Sequence, residues 1–228
     1  RGWMLPGHQE DGTPGRVVFV AHEDPRAAVQ RARMDAAGVD VSRVASLDDM
    51  PILPDGIARL ETTVRDLGAH LVVIDPVGAY LSPKINAFSD SELRQALAPL
   101  QGMAERTGCA VLLVAHLNKG AGRAGLYRVG GSIGLVGQSR MAMLVAPDPQ
   151  NPERRVLAPL KQNLTKPVAS LVFTLEDKGG HPQVHWHGET KLGVEALLAA
   201  DDGRSKKDPQ AQRYHRISFD EAIGRNLQ

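Results

Sequence analysis

Leu71-Val72-Val73-Ile74-Asp75-Pro76 is an apolar run that ends in an acid, and about forty residues later Ala110-Val111-Leu112-Leu113-Val114-Ala115-His116 is a second that ends in a histidine. Each is too short for a typical helix and too uniformly apolar for a strand with one wet face, so both read as parallel strands buried on two sides. In open α/β sheets ligands bind outside the carboxyl ends of the strands. Asp75 and His116 are therefore expected to share one crevice, an arrangement that suits a nucleotide and its metal.

The flanking sequence supplies the alternation that a parallel sheet needs. Residues 1–15 read as a loop and 16–21 as a short strand; His22-Glu23-Asp24-Pro25 then opens a helix to about residue 37, stopped by Gly38. A small strand at 44–47 precedes a helix over 57–67. Ser89 or Asp90 is placed to cap a helix through Arg106, on which Leu93, Leu97 and Leu100 recur at helical spacing. This β-α repetition predicts a parallel sheet with right-handed crossovers. Beyond a glycine-rich segment at 118–131 and a short helix at 132–138, strands at 141–146, 155–161, 169–175 and 183–186 are joined by Pro, Asn and Gly. Such connections predict hairpins, hence an antiparallel extension to one edge. A helix is expected at 190–200, closing a core of residues 1–200. The remaining 201–228 read as a polar linker or tail, with the start of a further helix near 219–223.

Bulk properties exclude several classes. A chain of 228 residues can bury one good core. Its net charge of +1 is neutral on nucleic-acid binding. Cys109 is the single cysteine, which rules out an internal disulfide framework and fits a reducing compartment. No apolar run approaches 18 residues and no signal peptide is visible, so a cytoplasmic protein without membrane partners is expected.

Taken in order, the strand ending Glu23-Asp24, the LVVIDP run at 71–76, the strand ending AHLNK at 115–119, GGSIGLVGQSR at 130–140 and LAPLKQN at 157–163 resemble a RecA-like AAA family ATPase. The resemblance is to the RepA-type branch near hexameric replicative helicases and covers about residues 16–176. It implies a three-layer α/β P-loop NTPase fold, an ATP hydrolase that uses Mg²⁺, a homo-oligomeric ring, a hexamer, and a helicase-like role on DNA in plasmid or phage replication. Under that resemblance Asp75 holds Mg²⁺, usually through water, and Glu23 polarises the attacking water. His116 senses the γ-phosphate, and Arg140 or Lys161 reaches the nucleotide of a neighbouring subunit. Related helicases often carry Lys-x-Arg here, whereas this chain has Asn163 in the second position. Lys119, Arg123, Tyr127 and Arg128 lie on a glycine-rich loop of the kind that RecA-like proteins point at single-stranded DNA; basic side chains contact phosphate and an aromatic stacks on a base.

One departure outweighs the others. Nowhere does the sequence contain G-x-x-x-x-G-K-[ST], the loop whose amides and lysine cradle phosphates. The resemblance places that loop ahead of the strand at Arg16, with a helix between, so the fold reads as N-terminally incomplete and inactive alone. The first rival is a degenerate, non-enzymatic subunit that keeps oligomerisation and DNA contact. The second is a nicotinamide dinucleotide oxidoreductase, prompted by G-x-G-x-x-G at 120–125. That motif is followed by no amphipathic helix, and no acid-tipped strand lies about 20 residues on. His181, His185 and His187 surround Trp186, yet no carboxylate or thiol completes a metal site at suitable spacing, and a hydrated hairpin is the simpler reading.

Overall fold

The structure, a computed structural model, describes residues 14–21, 29–47, 52–87, 89–116, 133–164, 166–177 and 179–207. Four strands, β1 (Arg16–Ala21), β2 (Val44–Ser46), β3 (Ala69–Asp75) and β4 (Ala110–Leu113), form a parallel sheet in the order β2-β1-β3-β4. Val18 pairs with Val72 and Val20 with Ile74; these four side chains are buried, while the intervening Val17, Phe19, Leu71 and Val73 are half-buried. The alternation follows from the period of two along a strand. β4 is shorter than its apolar run, although the Val114 N–H still donates to the Ile74 carbonyl at 2.9 Å.

Three helices precede α4 and α5, beginning with the short α1 (Arg31–Ala36). In α2 (Ile57–Leu67), Ile57, Leu60 and Val64 share one buried stripe, and the helix stops at Gly68, whose φ of 58° lies in the left-handed region. α3 (Asp90–Thr107) starts where the Ser89 side chain accepts from the Glu92 N–H and buries Leu93, Ala96, Leu97, Leu100 and Met103. α2 and α3 join the sheet in one core. At their outer seam the Glu61 carboxylate receives Arg106 through Nε at 3.0 Å and Nη2 at 2.6 Å, and Arg65 Nη2 at 2.8 Å.

The C-terminal strands are the hairpins that the turn residues predict, but they pair among themselves. β5 (Met141–Pro147), β6 (Arg154–Gln162), β7 (Ser170–Asp177) and β8 (Pro182–Thr190) form a separate antiparallel sheet in that order. Among the described residues β4 pairs with β3 alone and β5 with β6 alone, so nothing joins the two sheets edge to edge. One face of the second sheet is covered by α5 (Val194–Lys207), where Leu197 and Leu198 meet Leu144, Ala146, Val156, Ala158 and Val172. β8 outruns its predicted bounds because an exposed edge strand tolerates His and Glu in alternate positions, and α5 continues through polar residues to Lys207. No helix of the described residues is long and apolar enough to cross a membrane.

The seam between α2 and α3 gives a pH signature. Hydrogen bonds from Arg106, then Arg65, hold the Glu61 carboxyl down to about 2 from its ordinary 4.5. A carboxyl whose folded value is depressed adds stability above its unfolded value and loses it as pH falls toward the folded one. Urea midpoints of wild type should therefore exceed those of Glu61→Gln at neutral pH, converge as pH drops below about 4.5, and meet near pH 2. The gap should also narrow with salt, since both arginines are half in water. A gap independent of pH would show that Glu61 acts by packing.

Candidate functional site

Parallel pairing brings the carboxyl ends of β1, β3 and β4 to one edge. Asp75 pairs with Ala21 in β1, and Val114, the residue after β4, lies on the other side, donating to Ile74 and accepting from Val77 N–H at 2.8 Å. Asp75 is half-buried and His116, two residues beyond Val114, is exposed. Val114 thus lies beside the end of β3 at this edge, and His116 follows it by two residues. Glu23 is two residues past Ala21 in sequence and lies outside the described residues, as do Lys119, Arg123, Tyr127 and Arg128.

The turn after Asp75 is anchored rather than loose. The Asp75–Pro76 peptide is cis, Pro76 is buried, and a 3₁₀ turn at Val77–Tyr80 sinks Val77 and Tyr80 into the core. Leu53, itself fully buried, clips that turn from the side: its N–H donates to Tyr80 at 2.7 Å and its carbonyl accepts from Ser82 at 3.0 Å. On the β1 side the buried Gln30 amide donates to the Ala21 carbonyl at 3.3 Å, holding the strand end from which residues 22–28 depart. Gln30 carries no signal of this contact in the sequence, where a lone Gln inside the helix expected from 22–25 to about 37 looks solvated.

Arg140 and Lys161 form a second constellation, around α4 (Ile133–Gln138). Lys161 Nζ donates to the carbonyls of Val136 at 3.1 Å and Gly137 at 2.8 Å, so its charge caps the helix C-terminus. The Asp90 carboxylate, at the head of α3, accepts from Gly134 N–H at 3.0 Å near the other end. α4 is held by an acid at its positive pole and a base at its negative pole. Arg140 follows in an exposed turn, where its carbonyl accepts from Asn163 N–H at 3.2 Å and its guanidinium has no partner among the described residues. Lys161 is committed within the chain, whereas Arg140 is presented to solvent.

No cluster of three or more His, Cys, Asp or Glu among the described residues could hold a metal unaided. Asp75 still fits Mg²⁺: it is a hard oxygen donor at a strand end, and an ion that keeps its waters and takes its other ligands from phosphate needs few ligands from the protein.

A model of the AAA domain family matches residues 1–122, more than half of the chain. The chain belongs to that family. Among solved structures this AAA domain is similar to a crystal structure of the RadB recombinase, at 17% identity with a TM-score of 0.51, over 71% of this chain and 76% of that one. At that identity the likeness establishes the RecA-like fold and leaves the chemistry of this AAA domain to its own residues.

The two cations of the α4 constellation predict opposite results. Lys161→Met keeps the aliphatic stem and removes the ammonium that caps the helix; it should cost about 1 kcal/mol in urea unfolding. Arg140→Ala should stay within about 0.5 kcal/mol of wild type, as for an unpartnered surface side chain. Equal costs would place both in structural roles.

Proposed function

We propose that the carboxyl edge of the parallel sheet is the metal-and-water side of an ATP-hydrolysing site, in a RepA-type ring ATPase acting on DNA. The observation that carries this reading is the placement of Asp75 between the ends of β1 and β4, with His116 two residues past Val114. In it Asp75 holds a hydrated Mg²⁺, Glu23 orients water and His116 meets the γ-phosphate. Bound there, Mg²⁺ would neutralise phosphate charge. Arg140 is the cation offered to a neighbouring subunit's nucleotide, and Lys161 steadies the helix ahead of it.

The phosphate cradle must come from another stretch of polypeptide, because the sequence holds no G-x-x-x-x-G-K-[ST]. Two open edges support this. β4 and β5 each lack a second partner among the described residues, carry no charge and leave Leu112 51%, Met143 42% and Val145 54% exposed. Natural sheet edges are ordinarily blunted by charge, proline or cover; β4 has neither charge nor proline and β5 only Pro147 at its end, which suits both to pairing. The missing motif also favours a second reading, a subunit that retains assembly and DNA contact without hydrolysis.

Turnover measurements separate the two. The 228-residue chain should hydrolyse ATP at background. Joined to a strand–phosphate loop–helix segment it should gain turnover that Asp75→Asn abolishes, and Glu23→Gln should lower kcat far more than ATP affinity. Tight ATP binding by the joined protein with no Asp75-dependent turnover would establish the non-enzymatic subunit instead.

DNA contact has its own test. Replacing Lys119, Arg123 and Arg128 by Ala should weaken single-stranded DNA binding and flatten its salt dependence by roughly 0.7 per lost contact. Tyr127→Ala should cost about 1 to 3 kcal/mol if a base stacks there. An unchanged salt slope in the triple variant would remove this loop from the DNA interface.

A further inference from the structure

Far from the Asp75 edge in sequence, β8 carries two imidazoles that spacing puts on one face of the strand and that the fold brings into contact. His185 and His187 are exposed, and their ring centroids lie 5.0 Å apart with the planes at 65°. A metal bound at about 2.0 Å from a ring nitrogen sits roughly 3 Å from the ring centre, so two imidazoles on one tetrahedral ion have centres about 5 Å apart. The observed spacing, also that of an edge-on ring contact, leaves room for both rings on one ion.

The local backbone favours this convergence. Val172 pairs with Gly188 and Phe173 with Trp186, which leaves His187 opposite no residue of β7. This is a bulge, a device that re-aims a side chain, and Gly188 accommodates it with φ of 97°. His187 Nε2 then lies 2.9 Å from the Thr174 hydroxyl, and Thr174 is the cross-strand partner of His185. In the tautomer that donates from Nε2 to Thr174, Nδ1 keeps its lone pair. Such an outer hydrogen bond orients an imidazole and raises its basicity as a ligand.

We propose that His185 and His187 form a two-imidazole site for a divalent transition metal of the zinc, nickel and copper class, with Thr174 as its orienting partner. The donor set selects these borderline ions and discriminates against Mg²⁺ and Ca²⁺, which take oxygen ligands. No third His, Cys, Asp or Glu completes a cluster among the described residues, so water fills the remaining positions and the site stays open. The proposal is independent of the ATPase reading, since it uses none of the residues assigned to that site.

Titration calorimetry with zinc chloride on the full 228-residue chain, in a non-chelating buffer, tests it. One ion should bind, and His185→Gln and His187→Gln should each weaken it about tenfold or more. The double variant should be little worse than either single one, because a chelate is lost with its first ligand. Thr174→Val should weaken binding less than either histidine change. Circular dichroism and thermal melts should be unchanged for the exposed histidine variants; if a Gln variant melts early, the corresponding Ala variant and zinc-induced broadening of the His185 and His187 ring resonances in the wild type decide. No uptake by the wild type at millimolar zinc overturns the proposal, as does undiminished affinity in both single variants.

Discussion

Parallel pairing of β3 with β1 and β4 is the constraint on which the rest of this AAA domain depends. Parallel strands begin at one edge and end at the other, so each apolar run delivers its terminal polar residue to a common row. Val18, Val20, Val72 and Ile74 fix the register by burial. A slip by one residue would turn these side chains to the half-covered face and move Asp75 away from Ala21. The position of a single carboxylate is thus set by the core beneath it. Leu53, Tyr80 and Gln30 extend that control past the strand ends, through two backbone hydrogen bonds on one side and an amide on the other.

The second sheet obeys a different balance. Its described core cluster lies on one face, against α5, while the opposite face buries Phe173 against Trp186 and leaves Met143 and Val145 in solvent. What ties it to the parallel sheet among the described residues includes α4, six residues long and too short to persist by helix propensity alone. Asp90 and Lys161 supply the missing stability from outside the helix, one from the head of α3 and the other from β6. The turn that carries Arg140 therefore inherits its position from charges in two separate parts of the chain.

Much of this was legible in the sequence because it is local. The run at 71–76 and the serine ahead of α3 act within a few residues and do in the structure what their chemistry predicts, whereas the run at 110–116 pairs in parallel only over β4 and, instead of being buried on both sides, leaves Leu112 exposed. The hairpins were equally readable from their turns, as where the Asp177 carboxylate accepts from Gly180 N–H. Their assembly into a separate sheet was not, since pairing between β4 and β5 is a question of long-range partners that turn residues do not address. Lys161 read, with Arg140, as a cation for a neighbouring subunit's nucleotide, and only the fold reveals that α4 ends beneath it. Gln30 shares that cause; the common face of His185 and His187 follows from the period of two along a strand, and only the bulge that brings His187 to Thr174 has no spacing rule.

The central claim is that Asp75 faces the metal of a bound nucleotide. It is tested most directly by a crystal structure of this chain joined to a phosphate-loop segment, with Mg²⁺ and a non-hydrolysable ATP analogue. The expected result is an octahedral Mg²⁺ on the phosphate oxygens, with a metal-bound water hydrogen-bonded to the Asp75 carboxylate and His116 beside the γ-phosphate. A nucleotide seated elsewhere, with Asp75 engaged only by its own turn, would contradict it.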